Sequence, residues 1–159
     1  MELEIKNKGF TLIEMLVAMA VFSIVILTMT SVSFSAIRMQ RNAFAMQESQ
    51  EAGRYILEMI SKEIRMSIVI SGSGARDSLN IINSSGENIV YEFDNGTITK
   101  NDQLLNPNNI EVSGKFHITN QTNPVISKVT IVMNLKSTRI QTGSDVEINL
   151  QSSIVARPY

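Results

Sequence analysis

Apolar and polar residues fall along this chain in three successive patterns. Between Glu14 and Arg38 there is no formal charge, and Leu, Ile, Val, Met, Phe and Ala dominate. That uncharged block is about 23 residues long, and a bilayer core of about 30 Å takes roughly 20 helical residues. Residues 10–37 contain neither Pro nor Gly, so nothing forces a kink. The pattern predicts a membrane-spanning helix over 10–37. The second pattern has helical period. Ile37, Phe44, Ala52, Tyr55, Ile56, Met59, Ile60 and Ile64 recur at helical spacing up to about Ser67. Glu48, Glu51, Arg54, Glu58, Lys62, Glu63 and Arg65 fill the other positions, and Gly53 is the one breaker. Glu58 and Lys62 stand at i, i+4, a pairing worth about 0.2–0.5 kcal/mol. This predicts an amphipathic helix over 38–70 whose apolar stripe needs a partner.

The third pattern has period two. Residues 71–78, Ser-Gly-Ser-Gly-Ala-Arg-Asp-Ser, read as a loop. Strands are predicted at 79–82, 88–93, 97–100 and 103–105, with Asp94-Asn95-Gly96 as a hairpin turn because Asn and Gly accept positive φ. Residues 111–119 form a weaker strand, 120–124 a loop, and 137–144 a hairpin loop. The strands at 125–135 and 146–156 alternate most clearly: Val129, Ile131 and Met133 share one face, and Val146, Ile148 and Leu150 another. One antiparallel sheet laid against the amphipathic helix would cover both apolar surfaces. The expected fold class is α+β, with a β-rich head over 71–159.

Charge and composition exclude more than they select. Net charge is −1 and no basic stripe appears, so there is no nucleic-acid footprint. There are no cysteines, hence no disulfides and no thiolate chemistry. The lone His117 cannot build a usual zinc site by itself. Gly72 and Gly74 lack the Lys and the spacing of a phosphate loop. Glu92, Asp94, Asn95 and Asp102 are close in sequence, but their spacing does not match a helix-loop-helix calcium loop and fits hairpin turns better. The Met residues of the helix carry no copper-site spacing. No cofactor, metal or catalytic residue is expected, and the chain does not read as an enzyme.

Glu14 stands out because a carboxylate at the centre of a span costs on the order of 2.5–3.5 kcal/mol. Near the end of a span it needs a partner or an interface. If the chain were cut after Gly9, the new α-amino group of Phe10 would lie one helical turn from it, within the chain or on a neighbour. An ordinary secretory signal would have a shorter apolar run, and only Ser33-Phe34-Ser35 offers a small-x-small cut site.

Lys8-Gly9-Phe10-Thr11-Leu12-Ile13-Glu14 followed by an apolar helix resembles the prepilin signal of type IV pilins and type II secretion pseudopilins. The resemblance implies a cleaved leader over 1–9, cut after Gly9 by a prepilin peptidase, and methylation of the Phe10 amine. It implies that Glu14 aids assembly by neutralising a neighbour's N-terminus. It also implies a pilin-like fold, the N-terminus cytoplasmic and the head extracytoplasmic. The implied partners are membrane lipid, other pilins or pseudopilins and an inner-membrane assembly platform. Residues 48–65 and the closing 148–157 are similar to J-type minor pseudopilins and PilW-like minor pilins, which implies a subunit of a tip or priming complex. Alternatives are a competence (DNA-uptake) pseudopilin and a membrane-anchored binding or adhesin head that uses the signal only for export.

Overall fold

The structure, a computed structural model, describes residues 9–122, 125–138 and 146–156. The chain divides into two compact units, Met1–Arg41 and Asn42–Tyr159. One helix, α1 (Leu12–Arg65), runs through both. Among the described residues nine strands follow: β1 (Ile68–Val69), β2 (Gly74–Arg76), β3 (Ser78–Ile82), β4 (Asn88–Asp94), β5 (Thr97–Lys100), β6 (Gln103–Leu104), β7 (Ile110–Thr122), β8 (Val125–Ser137) and β9 (Glu147–Ala156).

In the first unit every described residue is exposed. The helix there is apolar all round, the mark of a segment whose solvent is not water. An 18-residue window has mean hydropathy 2.5 with none of it buried, so α1 is long and apolar enough to cross a membrane. Five of its hydroxyls turn inward on the backbone. Ser23 donates to the Met19 carbonyl and Thr30 to the Ile26 carbonyl, each at 2.8 Å, and Ser33 to that of Met29 at 3.0 Å. Thr28 and Ser31 bond the carbonyls three residues back, at 2.8 Å. Such back-bonding satisfies side chains that lipid could not.

In the second unit α1 has one buried row: Ala45, Ser49, Gly53, Ile56, Ile60 and Ile64. This differs from the stripe expected from hydropathy. Phe44 and Tyr55 are exposed, at 68 % and 63 %, and Met59 is half-buried. The row passes through small residues that hydropathy skips, because the sheet comes closest there. A Cβ on Gly53 would run into Leu150 Cδ1 and press on Leu135 Cδ1 at 3.1 Å. Gly53 breaks nothing; it lets the helix lie down on the strands. The helix closes with tight turns from Met66 N to Glu63 O and Ser67 N to Ile64 O, both 3.2 Å. Lys62 and Arg65 in its last turn suit the negative end of the helix dipole. Glu58 and Lys62 do not form the expected ion pair.

The head contains two antiparallel sheets where a single one was expected. One is five-stranded in the order β1-β3-β4-β5-β6, the other four-stranded in the order β2-β7-β8-β9. Strands β1 and β2 were missed inside a stretch read as helix end and loop. They are too short to show a period, and pairing makes them strands: Ile68 faces Ile82 and Gly74 faces Ile118. Residues 120–122, read as loop, extend β7, because each opposes a β8 residue from Ser127 to Val125. Residues 123–124, most of the expected 137–144 loop, and residues 1–8 of the expected leader lie outside the described residues. The Asn95-Gly96 turn is as expected, with φ of 45° and 76°.

The sheets and the helix share one core. Leu79, Tyr91 and Ile98 come from the first sheet, Phe116, Ile131 and Leu135 from the second, and Ile56, Ile60 and Ile64 from α1. Phe93 and Phe116 join the sheets with ring centroids 4.8 Å apart. The outer face of the second sheet is polar, and there Thr130 meets Ser153 at 2.8 Å and Asn134 donates to Asn149 at 2.9 Å.

The close approach at Gly53 sets a test. Gly53→Ala is expected to be near neutral, because about 1 kcal/mol of helix propensity offsets a shift of the flexible Leu150 tip. Gly53→Val should lower unfolding free energy by about 1–3 kcal/mol through overpacking, measured by urea denaturation of the full chain in detergent.

Candidate functional site

The expected functional residues sit around the start of α1. Helix formation begins at Leu12 because Thr11 caps it: the Glu14 backbone N–H donates to Thr11 Oγ1 at 3.3 Å. Thr11-Leu12-Ile13-Glu14 has the sequence of a capping box, S/T-x-x-E, and Glu14 holds its third helical position. A carboxylate there also suits the positive end of the helix dipole. The cap role of Thr11 was legible in that tetrapeptide but was overlooked beside Glu14.

Phe10 lies outside the helix, on the far side of the cap, and is 77 % exposed. The one-turn helical spacing expected between Phe10 and Glu14 therefore does not hold, since only Glu14 is helical. Glu14 itself is exposed and forms no ion pair among the described residues. Gly9 is exposed, and a Cβ built on it would meet nothing within 4 Å. Among the described residues nothing occupies the space a side chain would take at this position.

The head holds a partly buried charged cluster, missed because Glu63 looks like one of the polar positions of an amphipathic helix. Cross-strand pairing sets Tyr91 of β4 opposite Lys100 of β5. Both reach Glu63 on α1. Lys100 Nζ lies 2.9 and 2.8 Å from the two carboxylate oxygens, and the Tyr91 hydroxyl donates to Oε2. The ammonium also stands 5.9 Å from the Tyr91 ring centroid. Side-chain exposure is 20 % for Glu63 and 30 % for Lys100, so the pair is shielded but not dry. Burial pushes the Tyr91 phenol far above its ordinary value, and the hydrogen bond to Glu63 and its negative charge add to the rise. This cluster clamps the helix to the first sheet.

The other residues singled out from sequence are dispersed. His117 is exposed on β7, opposite Thr130. Asp94 and Asn95 bond one another in the hairpin turn at 2.8 Å. Among the described residues, no three side chains of metal-ligating type gather.

An apolar, membrane-competent helix on a β-sheet head defines an α+β, pilin-like class of fold. Residues 5–30 match the family model of the prokaryotic N-terminal methylation motif, the type IV pilin and pseudopilin signal. The match supports a pilin-like or pseudopilin subunit, a family of structural rather than catalytic proteins, which assembles with other pilin subunits. The signal and the apolar helix fit an inner-membrane anchor with an extracytoplasmic head. No match is found among the curated proteins or the solved structures compared.

Tyr91 gives the clamp a pH signature. Its folded pKa is raised, so its contribution to stability is full below the unfolded phenol value of about 10 and falls above it, by about 1.4 kcal/mol per pH unit. Alkaline unfolding should therefore steepen above about pH 10 and be shallower in Tyr91→Phe. Phenolate absorbance of the folded protein should be the same in the two chains up to about pH 11, because Tyr91 does not ionise until the head opens.

Proposed function

We propose that this chain is a minor pilin or pseudopilin, a structural subunit of a type II secretion pseudopilus or a type IV pilus-like filament, acting in the tip or priming complex. In this reading residues 1–9 are a leader, 10–37 the membrane and assembly helix, 38–70 an amphipathic helix and 71–159 the extracytoplasmic head. A prepilin peptidase cuts after Gly9 and the Phe10 amine is methylated. Glu14 then pairs with the N-terminal ammonium of an adjacent subunit.

The observation that carries this reading is the motif match over residues 5–30, joined to the open surroundings of Gly9. A glycine whose side-chain space nothing occupies among the described residues is explained by an enzyme that reads it. Glu14 supports the same view. Among the described residues it has no ion-pair partner beside an uncharged span, and association in lipid gains little hydrophobic driving force. A specific charge pair is then what sets the register between subunits. Residues 10–37 contain no Pro or Gly, whereas many major pilins carry one partway along this helix, which favours a minor subunit.

Mass spectrometry of the mature N-terminus should find methylated Phe10; an intact Met1 in cells that process other prepilins would overturn the reading. Glu14 has two roles to separate. Glu14→Gln keeps a capping-box residue at the third helical position but removes the charge. It should leave the helix content by circular dichroism unchanged and cut incorporation into filaments at least tenfold. Normal incorporation would remove Glu14 from the assembly contact.

A further inference from the structure

We propose that β9 is an acceptor edge. Its free side takes an extended segment of a different polypeptide, apolar at alternate positions and bearing a carboxylate, as an added strand of the second sheet. This goes beyond the assembly role of the N-terminal helix and rests on the head alone.

Three observations converge. The first is the edge itself. β9 is the last strand of its sheet and, among the described residues, nothing pairs with its outer side. It is 10 residues long, whereas the other edge strands β1, β2 and β6 have 2, 3 and 2. Natural sheets blunt long edges with Pro, inward charges or bulges. β9 has no Pro, its inward residues carry no charge, and its register with β8 is unbroken from Glu147 opposite Lys136 to Ala156 opposite Ser127.

The second is a core that stops short. The inward residues of β8 from Val129 to Leu135 are buried. Their neighbours Ile148, Leu150 and Ser152 on β9 are only half-buried. One more strand would set its own inward residues beside these three and complete the layer.

The third is charge. A cleft of ≈ 480 Å³ runs between the end of α1 and β9, lined by Leu57, Met66 and Ser152 together with Glu58, Lys62 and Arg65. Lys62 and Arg65 stand at i, i+3 and form no ion pair among the described residues. With Glu58 the cleft keeps a net positive charge, so an apolar strand passing Ser152 gains from a carboxylate there. The β9 strand of a second copy does not match this requirement. The only carboxylate of β9 is Glu147, which is exposed on the outer face, while the cations lie against the inner one. Main-chain bonds to β9 would supply affinity and alternate side chains specificity.

The test uses the full chain in detergent micelles and two synthetic decapeptides of alternating Val and Thr, one with Glu and one with Lys at a central Val position. Binding is measured by fluorescence anisotropy and located by amide hydrogen exchange. The Glu peptide should slow exchange across β9 and bind about fivefold more tightly than the Lys peptide, the scale of one partly exposed charge pair. Lys62→Glu combined with Arg65→Glu should reverse that order. Ser152→Lys, an inward charge on the edge, should abolish binding of both peptides. No slowing on β9, equal affinity of the two peptides, or binding that survives Ser152→Lys would each overturn the proposal. Protection of β9 that rises with protein concentration in the absence of peptide would overturn it in favour of a second copy.

Discussion

Burial of one face of a single helix is what the head depends on. Ile56, Ile60 and Ile64 are fully enclosed, and both sheets close over them. Without that row the first sheet would be a small meander with two-residue edges, and the second a large sheet with one bare apolar side. Two-layer packing of this kind answers a simple constraint: an amphipathic helix and a half-apolar sheet each cover a surface the other cannot leave in water. Truncating one of these isoleucines to Ala removes on the order of 2–5 kcal/mol, which is a large part of the stability of a domain this size.

The same chain solves polar satisfaction twice, by opposite means. Along the apolar part of α1 the hydroxyls of Ser23, Thr28, Thr30, Ser31 and Ser33 fold back onto carbonyls of their own helix, so these side chains present no unmet donor to lipid. In the head, Glu63 reaches across to another layer and collects Lys100 and Tyr91. That contact ties α1 to the middle of the first sheet, where no apolar residue could give direction as well as attraction. A shielded carboxylate stripped of its ammonium is left with an uncompensated charge, so the cluster acts as a unit. Among the described residues three buried oxygens are exceptions, Ser49 Oγ, Asn80 Oδ1 and Ser137 Oγ, and the Ser49 hydroxyl lies at the contact of helix and sheet. A small side chain is required there by the spacing, and nothing else in the structure accounts for the hydroxyl.

Much of this was readable from residues alone, for physical reasons. The uncharged run, the alternation in β8 and β9 and the Asn95-Gly96 turn are local signals, and local signals survive in sequence. What was not readable depended on partners distant in sequence. The small residues Ala45, Ser49 and Gly53 mark the buried face by what they leave out, and hydropathy does not score an absence. β1 and β2 are strands only because β3 and β7 lie beside them. Glu63 looked like any solvent-facing charge until β4 and β5 brought it company. At the N-terminus the reverse held. Gly9, Phe10 and Glu14 stood out in the sequence, but the described chain gives Gly9 and Phe10 no neighbours to explain them and leaves Glu14 with a share in a helix cap.

Thr11 has a consequence for how the two ends of a cut would behave. The capping hydroxyl belongs to the residue after Phe10, so the helix is terminated from its own side of the Gly9–Phe10 bond. A cut after Gly9 would leave in place the bond that Thr11 makes to the Glu14 backbone donor. The segment is built like a perforated edge. A line of separation after Gly9 would run just outside the last stitch, and the Thr11 cap would go with the helix.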